Sequence, residues 1–412
     1  MFTYQNNSKV QKSKSALCKI SSKYKNVFYV DLLLSIAISS LPNILIITMA
    51  TILIATICVI LVSIWLYLNT SKPKGFPPGP PRFPFFGSLT FMLEFSEIFK
   101  NNTLIHAVLK NVDRYGKVFG FYIGSQPYVV VANYEFVKEV LKHEGGCDRP
   151  DLTPINELRP GHWTVGKEIP GMSAGIAFSQ GTYWKEQRRF LLRNLRDFGF
   201  GKTSMEDTLL DEVEKLCNEY SKYAGSPVCL DNTMNLSVIN SLWAILTGEK
   251  LPIMDPKLVK IVSDFNASLS NIKNINNLML PLSPRPMIRL SLVQRIVGLH
   301  LWRDALKNLT KIIEAQVNEH KATMDPDNIR DMTDLFLNEI ESQSSNVHSS
   351  FYKDRGYYAM INNFIDLFVA GMETTSSSII WTFLYLLHHP DVKKNVQNEL
   401  DKVDNKSFII LS

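Results

Sequence analysis

The sequence predicts a mainly α-helical protein with a small β-sheet, tethered by an N-terminal transmembrane helix. Three observations lead there. From Leu32 to Ser71 there is no charged residue. Beyond about position 97, apolar residues recur at helical spacing in run after run. One pair of β-rich runs, Val118–Ile123 and Tyr128–Ala132, flanks the turn signal Gly124-Ser125-Gln126-Pro127. With 412 residues, 45% of them hydrophobic and 20% charged, the chain can bury a large core. No repeat or composition shift marks a second soluble domain.

A net charge of +5 is modest for this length and gives no reason to expect a nucleic-acid partner. The cysteines Cys18, Cys58, Cys147, Cys217 and Cys229 are odd in number, widely spaced and without a C-x-x-C pair. Neither a disulfide framework nor a zinc site follows, and no metal ligand is assigned.

The better half of the uncharged run is 44–68, long enough for a span that needs roughly 20 residues. Trp65 and Tyr67 stand at its end, where amphipathic rings favour the headgroup level. A buried core helix is the bland alternative, but helices apolar on every face are uncommon in soluble domains. Lysines flank both sides: Lys9, Lys12, Lys14, Lys19, Lys23 and Lys25 before the run, Lys72 and Lys74 after it. Both ends are therefore drawn to the cytosol, and translation from Met49 would resolve the conflict. Residues 1–43 read as an extension, 44–68 as the anchor, 72–82 as a stiff Pro-rich hinge, 83–403 as one domain and 404–412 as an aberrant tail.

Downstream, helices are expected over Glu97–Tyr115, Glu135–His143, Trp184–Leu195, Met205–Tyr220, Thr233–Thr247, Pro256–Ser268, Val293–His320 and Met332–Glu341. A loop runs from Glu144 to about Gly181, and three prolines break the chain over Leu280–Pro286. The longest run, Asp354–His388, would extend about 52 Å and stop before Pro390, which opens a last helix to Val403.

Two motifs carry chemistry. Trp184 and Arg188 lie four apart on one helix face, and indole and guanidinium donors side by side suit a carboxylate. A packed Trp with an Arg beside it is the ordinary explanation. Inside the long helix stands Ala370-Gly371-Met372-Glu373-Thr374-Thr375. Glycine weakens a helix, and consecutive hydroxyl residues bend it. Such a notch suits a flat ligand pressed on the backbone, with a hydroxyl and a carboxylate relaying protons; a helix–helix crossing explains it as well.

In that order and at those spacings, the anchor, the Pro77-Pro78-Gly79-Pro80-Pro81 hinge, the W-x-x-x-R helix, the A-G-x-E-T-T helix and the H-P-x-V-x-x-x-V-Q-x-E-L helix resemble a cytochrome P450 from residue 44 to 403. Trp184-Lys185-Glu186-Gln187-Arg188-Arg189-Phe190, continuing to Gly201, most resembles microsomal, insect-like members of the clan containing vertebrate drug- and steroid-metabolising enzymes. The resemblance implies that fold and a haem cofactor. Trp184 and Arg188 would bind a haem propionate, Ala370 and Gly371 would lie on the haem face, and Thr374 with Glu373 would handle protons as O2 is cleaved. It also implies an NADPH-dependent cytochrome P450 reductase docking near Lys185–Arg193, cytochrome b5 as a further candidate partner, and a lipophilic substrate such as a terpenoid hormone, steroid or xenobiotic. The expected place is the endoplasmic reticulum membrane, with the domain on the cytosolic side. Asp148-Arg149-Pro150 matches a family feature without an assigned chemistry.

The family's proximal cysteine loop and the E-x-x-R helix before it have no counterpart here. Glu186 and Arg189 have that spacing inside the W-x-x-x-R helix, a coincidence, and the last cysteine is Cys229. The expectation is an incomplete fold lacking its proximal haem-ligand region, with haem binding by this chain in doubt and the apolar face of the long helix uncovered. A monooxygenase is one reading. The other is a membrane-tethered, non-catalytic pseudoenzyme or binding protein that keeps the distal half of the fold. A single-pass receptor is disfavoured, because no disulfide-bearing ectodomain is suggested.

Overall fold

The described part of the segment expected as the anchor forms a helix, α1 (Met49–Leu68), apolar and long enough to cross a membrane and with none of its apolar window buried. The structure is a computed structural model. It describes residues 49–98, 104–149, 156–162, 175–198, 205–272 and 290–402, apart from positions 69, 85, 224 and 297. The 1–43 extension, the Leu280–Pro286 break, the 404–412 tail and much of the 144–181 loop lie outside the described residues.

Past α1 the Pro-rich hinge is docked rather than merely stiff. Gly120 donates its N–H to Pro78 at 2.8 Å, and the Phe76 and Tyr122 rings meet at 5.0 Å. Gly79 and Gly120 approach so closely that a side chain on Gly79 would strike the Gly120 carbonyl. Lys72 Nζ donates to Gly79 O at 3.0 Å and Arg82 to Ser71 O at 3.2 Å, so cations tie the hinge to itself and to the end of the anchor region.

The helix expected over Glu97–Tyr115 is instead α2 (Leu89–Ile98) and α3 (Leu104–Tyr115). They pack on β1 (Val118–Ile123), which pairs antiparallel with β2 (Gln126–Val131). Phe91, Ala107, Phe119 and Phe121 form the small core there, with Phe91 stacked on Phe121 at 4.0 Å. The turn is shorter than expected. Ile123 faces Gln126, leaving Gly124-Ser125 as a two-residue loop with Gly124 at φ 60°. Pro127 therefore sits within β2 opposite Tyr122, a position whose N–H would point away from β1. α4 (Tyr134–Lys142) follows, capped by Asn133 accepting from Phe136 N–H at 3.1 Å.

The main body is helical. α5 (Gly181–Asp197) buries Tyr183, Gln187, Leu191 and Leu195, one residue per turn. α6 (Glu206–Ser221) and α7 (Asp231–Thr247) follow, α7 ending at Gly248 in the left-handed conformation. After α8 (Pro256–Ile272), the run expected as one helix over Val293–His320 divides into α9 (Ser291–Ile296) and α10 (Leu299–Thr323) at Gly298, φ 78°. α11 (Met332–Ser342) is capped by Asp331, which accepts from Thr333 and Asp334 N–H at 2.8 and 3.1 Å.

The 36-residue α12 (Lys353–His388) crosses this bundle, with α7 as its most extensive partner, and α13 (Pro390–Leu400) opens on Pro390. Trp243, Phe265, Phe336, Phe364 and Phe368 are the largest side chains of the core. The architecture is mainly α with one two-stranded antiparallel sheet among the described residues, as expected.

Candidate functional site

α12 changes character along its length. Between Arg355 and Met372 most side chains are buried; past Ser376 none is. Trp381, Tyr385 and Leu387 are 60%, 64% and 70% exposed, and α13 buries nothing, so an apolar face lies open along this end.

The notch stands at the change-over. Ala370 and Thr374, four apart, lie exposed on one side of the helix, and Glu373 is half-buried. The Thr374 hydroxyl donates to Ala370 O at 2.7 Å, and the Ser377 hydroxyl to Glu373 Oε1 at 3.3 Å. Gly371 faces the other way: a Cβ there would stand 2.5 Å from Leu242 Cδ1 on α7. Close crossing with α7 thus accounts for the glycine, while Ala370 and Thr374 form the open strip. Ser376 adds a polar tie to the crossing, its single hydroxyl donor lying within hydrogen-bond reach of both Asn235 Oδ1 and Met372 O.

On α5, the Arg188 guanidinium lies over the Trp184 ring, 5.4 Å from its centroid, a cation–π contact rather than two parallel donors. Trp184 is half-buried and Arg188 exposed. Lys185 pairs with Glu144 at 2.8 Å. Glu186 accepts from Ser349 Oγ and Ser350 N–H at 3.2 and 2.8 Å, so its spacing to Arg189 makes no pair. The two motifs are joined at one remove. Gln187 accepts from Asn363 on α12 at 2.8 Å and donates to Ser350 Oγ at 2.8 Å. A cleft of about 660 Å³ opens between α5 and α11, lined by Arg189, Phe190, Arg193 and Leu335, apart from the Ala370–Thr374 strip.

Two buried polar nodes were not read from the sequence. Asp366, one turn before Ala370, pairs with Arg159 at 2.6 Å, both side chains about 95% buried. Its other oxygen accepts from Ile176 and Ala177 N–H, each at 2.9 Å. Burial pushes the Asp366 carboxyl up, against Arg159 and those amides. The second node joins α10 to α11. His320 Nδ1 is 2.9 Å from Gln316 O and Nε2 is 2.7 Å from Asp331 Oδ2. Burial pulls the imidazole down, but the Asp331 hydrogen bond, the Gln316 carbonyl and the charges of Asp331 and Asp334 outweigh it and hold the pKa above its ordinary value. His320, Asp331 and Asp334 have ligand-type atoms within 4.8 Å of one another. Asp331 is used by His320 and the α11 cap, and Asp334 by Arg330 at 2.6 and 2.8 Å, so hydrogen bonds already account for the group.

A family model described as Cytochrome P450 matches residues 77–408. The chain is similar to Cytochrome P450 2D10 of Mus musculus, 33% identical over 80% of this chain and 61% of that one. Cytochrome P450 2L1 of Panulirus argus is 30% identical over 82% of this chain and 64% of that protein. Cytochrome P450 2C55 of Mus musculus is 34% identical over 83% and 64%. The chain spans a little over three fifths of the length of these relatives.

Proposed function

The chain belongs to the cytochrome P450 family, and from that premise we propose that it is the anchored, distal part of a haem-thiolate monooxygenase acting on a lipophilic small molecule. The observation that carries this reading is the exposed Ala370–Thr374 strip. Where α12 passes from its buried half to its open end, it turns a small residue and a hydroxyl outward, one turn apart, beside a half-buried carboxylate. That surface fits one face of a flat macrocycle, and the exposed Arg188, without an ion pair among the described residues, fits an anionic edge group.

Haem, when bound, supplies the redox and oxygen chemistry. The protein's own residues do the rest. Ala370 leaves room against the backbone, and Thr374 offers a hydroxyl that must leave Ala370 O to serve a ligand. Glu373, bonded to Ser377, holds a carboxylate beside it for proton delivery. Trp184 shields one side of the Arg188 guanidinium and leaves the outer N–H groups for a propionate. Gly371 contributes thinness at the α7 crossing.

The described residues do not supply the proximal ligand: Cys58 lies in α1, while Cys147, Cys217 and Cys229 all precede α12, and Cys229 is the last cysteine in the sequence. The family's thiolate comes from a cysteine loop that this sequence does not contain. This chain by itself is therefore expected to bind little haem and to be inactive. Electrons would come from an NADPH-dependent reductase, with cytochrome b5 as a second donor, at the cationic face of α5. The open apolar face of α12 suits a lipophilic ligand, and α1 suits the endoplasmic reticulum membrane with the domain on its cytosolic side.

The competing reading is a tethered, non-catalytic protein. Transcripts that run on past codon 403 into E-x-x-R and a glycine-rich cysteine loop favour the enzyme. Transcripts that stop there favour the alternative. The continued product should give a thiolate ferrous–CO band and NADPH-dependent oxygenation of a lipophilic probe, while this chain alone gives no such band. A normal ferrous–CO spectrum from this chain would refute the second expectation, and a continued product that binds haem but never oxygenates would refute the first.

A further inference from the structure

Gln187 of α5 and Asn363 of α12 are uncharged amides with no surface left to water. Asn363 Nδ2 donates to Gln187 Oε1 at 2.8 Å, and Gln187 Nε2 donates to Ser350 Oγ at 2.8 Å. Asn363 Oδ1 has no hydrogen-bond partner among the described residues. A buried carbonyl left unpaired is destabilising, so this bridge is a poor source of stability. Its use is directional. α7, α10 and α11 lie close along α12, and α5 is not among them. α5 is held to the bundle by rings: Phe190 meets Phe336 at 4.7 Å and Phe351 at 4.8 Å, and Phe336 meets Phe364 of α12 at 5.7 Å. Such contacts survive a small slide. A slide by one residue's rise, about 1.5 Å, bends or stretches the amide bond and strands a donor and an acceptor in the core. A single buried polar contact of this kind specifies register at a loss of stability.

Asn363, Ala370 and Thr374 share one side of α12, at spacings of seven and four, so the bridge lies in line with the strip, about 10 Å from Ala370 along the axis. That side is covered at Asn363 and open at Ala370 and Thr374. On α5, Gln187 stands next to Arg188 and three positions after Trp184. We propose that Gln187, with Asn363, is a positioning residue: the amide bridge fixes where α5 stands along α12, and with it the span from the Arg188 guanidinium to the Ala370–Thr374 strip. A rigid flat ligand with an anionic edge needs that span held, because neither its face nor its edge can adjust to the other. The ligand rests on the monooxygenase reading; the bridge does not.

The test uses the full chain in lipid nanodiscs, its five native cysteines replaced by serine. Spin labels go on Leu192→Cys of α5 and Ser378→Cys of α12, both exposed and outside the site, and double electron–electron resonance reads the distance between them. One narrow distribution is expected for the parent. Gln187→Leu with Asn363→Ala and Ser350→Ala removes the bridge and leaves no partner stranded. That triple variant should keep the parent's urea midpoint while its distance distribution widens roughly two-fold, since apolar packing holds the helices without a register. Gln187→Asn with Asn363→Gln keeps the combined reach of the two arms and should restore the narrow distribution. Parent width in the triple variant overturns the proposal. So does a width that grows only in step with lost stability, because the amides are then a general strut, and so does an exchanged pair as broad as the triple. No readout needs haem, so a failed bridge and a failed haem test are told apart.

Discussion

Gly371→Val tests which side of the notch the glycine serves. A Cβ at this position stands 2.5 Å from Leu242 Cδ1 and 3.7 Å from its Cγ, against an ordinary carbon contact of about 3.5–4.0 Å. The shortfall of about 1 Å falls on the tip of a half-buried side chain, which can turn. Gly371→Ala therefore sets a rotamer cost of about 0.5–1.5 kcal/mol against a helix-propensity gain of about 0.8–1.0 kcal/mol, and should be nearly neutral. Valine adds two methyls that cannot all turn aside, and its branching forfeits part of the propensity gain; overpacking of about 1–3 kcal/mol wins, for a net loss of about 1–2 kcal/mol. Leu242→Ala opens that space, so the double variant should be less destabilised than the sum by about 1 kcal/mol. Urea unfolding of the nanodisc-bound chain, followed by tryptophan fluorescence, measures all four. Valine as stable as glycine, or strict additivity in the double variant, would sink the crossing argument and return the glycine to the open face.

Three further outcomes follow from named contacts. Ser376→Ala leaves buried Asn235 without its hydroxyl partner and should cost about 1–3 kcal/mol in the same unfolding assay, with Ser377→Ala as the near-silent control. Thr374→Ala removes only an exposed bond to Ala370 O and should change stability by less than about 0.5 kcal/mol; in a haem-loaded, continued product it should raise oxygen consumed per product formed. The His320 imidazole is favoured in its charged form by folding, so its contribution is whole below the ordinary histidine pKa and fades as pH rises through the higher folded value. Melting temperature should therefore fall with rising pH above neutrality, and His320→Gln should flatten that fall; an unchanged pH slope in the variant contradicts the assignment.

Local patterns were legible in this sequence, and long-range polar pairings were not. The hairpin, the stripe of α5 and the extent of α12 each follow from spacing within one segment. The division of α9 from α10 was signalled by Gly298 but masked by apolar periodicity that continues through it. Pro127 looked like a turn residue because its outward N–H position depends on register, which only pairing defines. Arg159 and Asp366 are 207 positions apart, and Asp366 stands in Ile365-Asp366-Leu367-Phe368, where one acid among apolar residues reads as a helix's wet side. His320 and Asp331 are joined across a helix end that periodicity does not describe. Gly371 was visible from the start, but glycine looks the same whether a ligand or a neighbouring helix needs the room.

The docked hinge has a consequence for motion. With Gly120 holding Pro78, Phe76 against Tyr122, and Lys72 and Arg82 closing the corner, α1 would carry the folded body with it wherever it is seated in a bilayer. Two proteins so mounted in one bilayer meet with their heights and tilts already set. What is left to chance is sliding in a plane and spin about its normal, so a collision between them samples far fewer wrong poses than one in open solution.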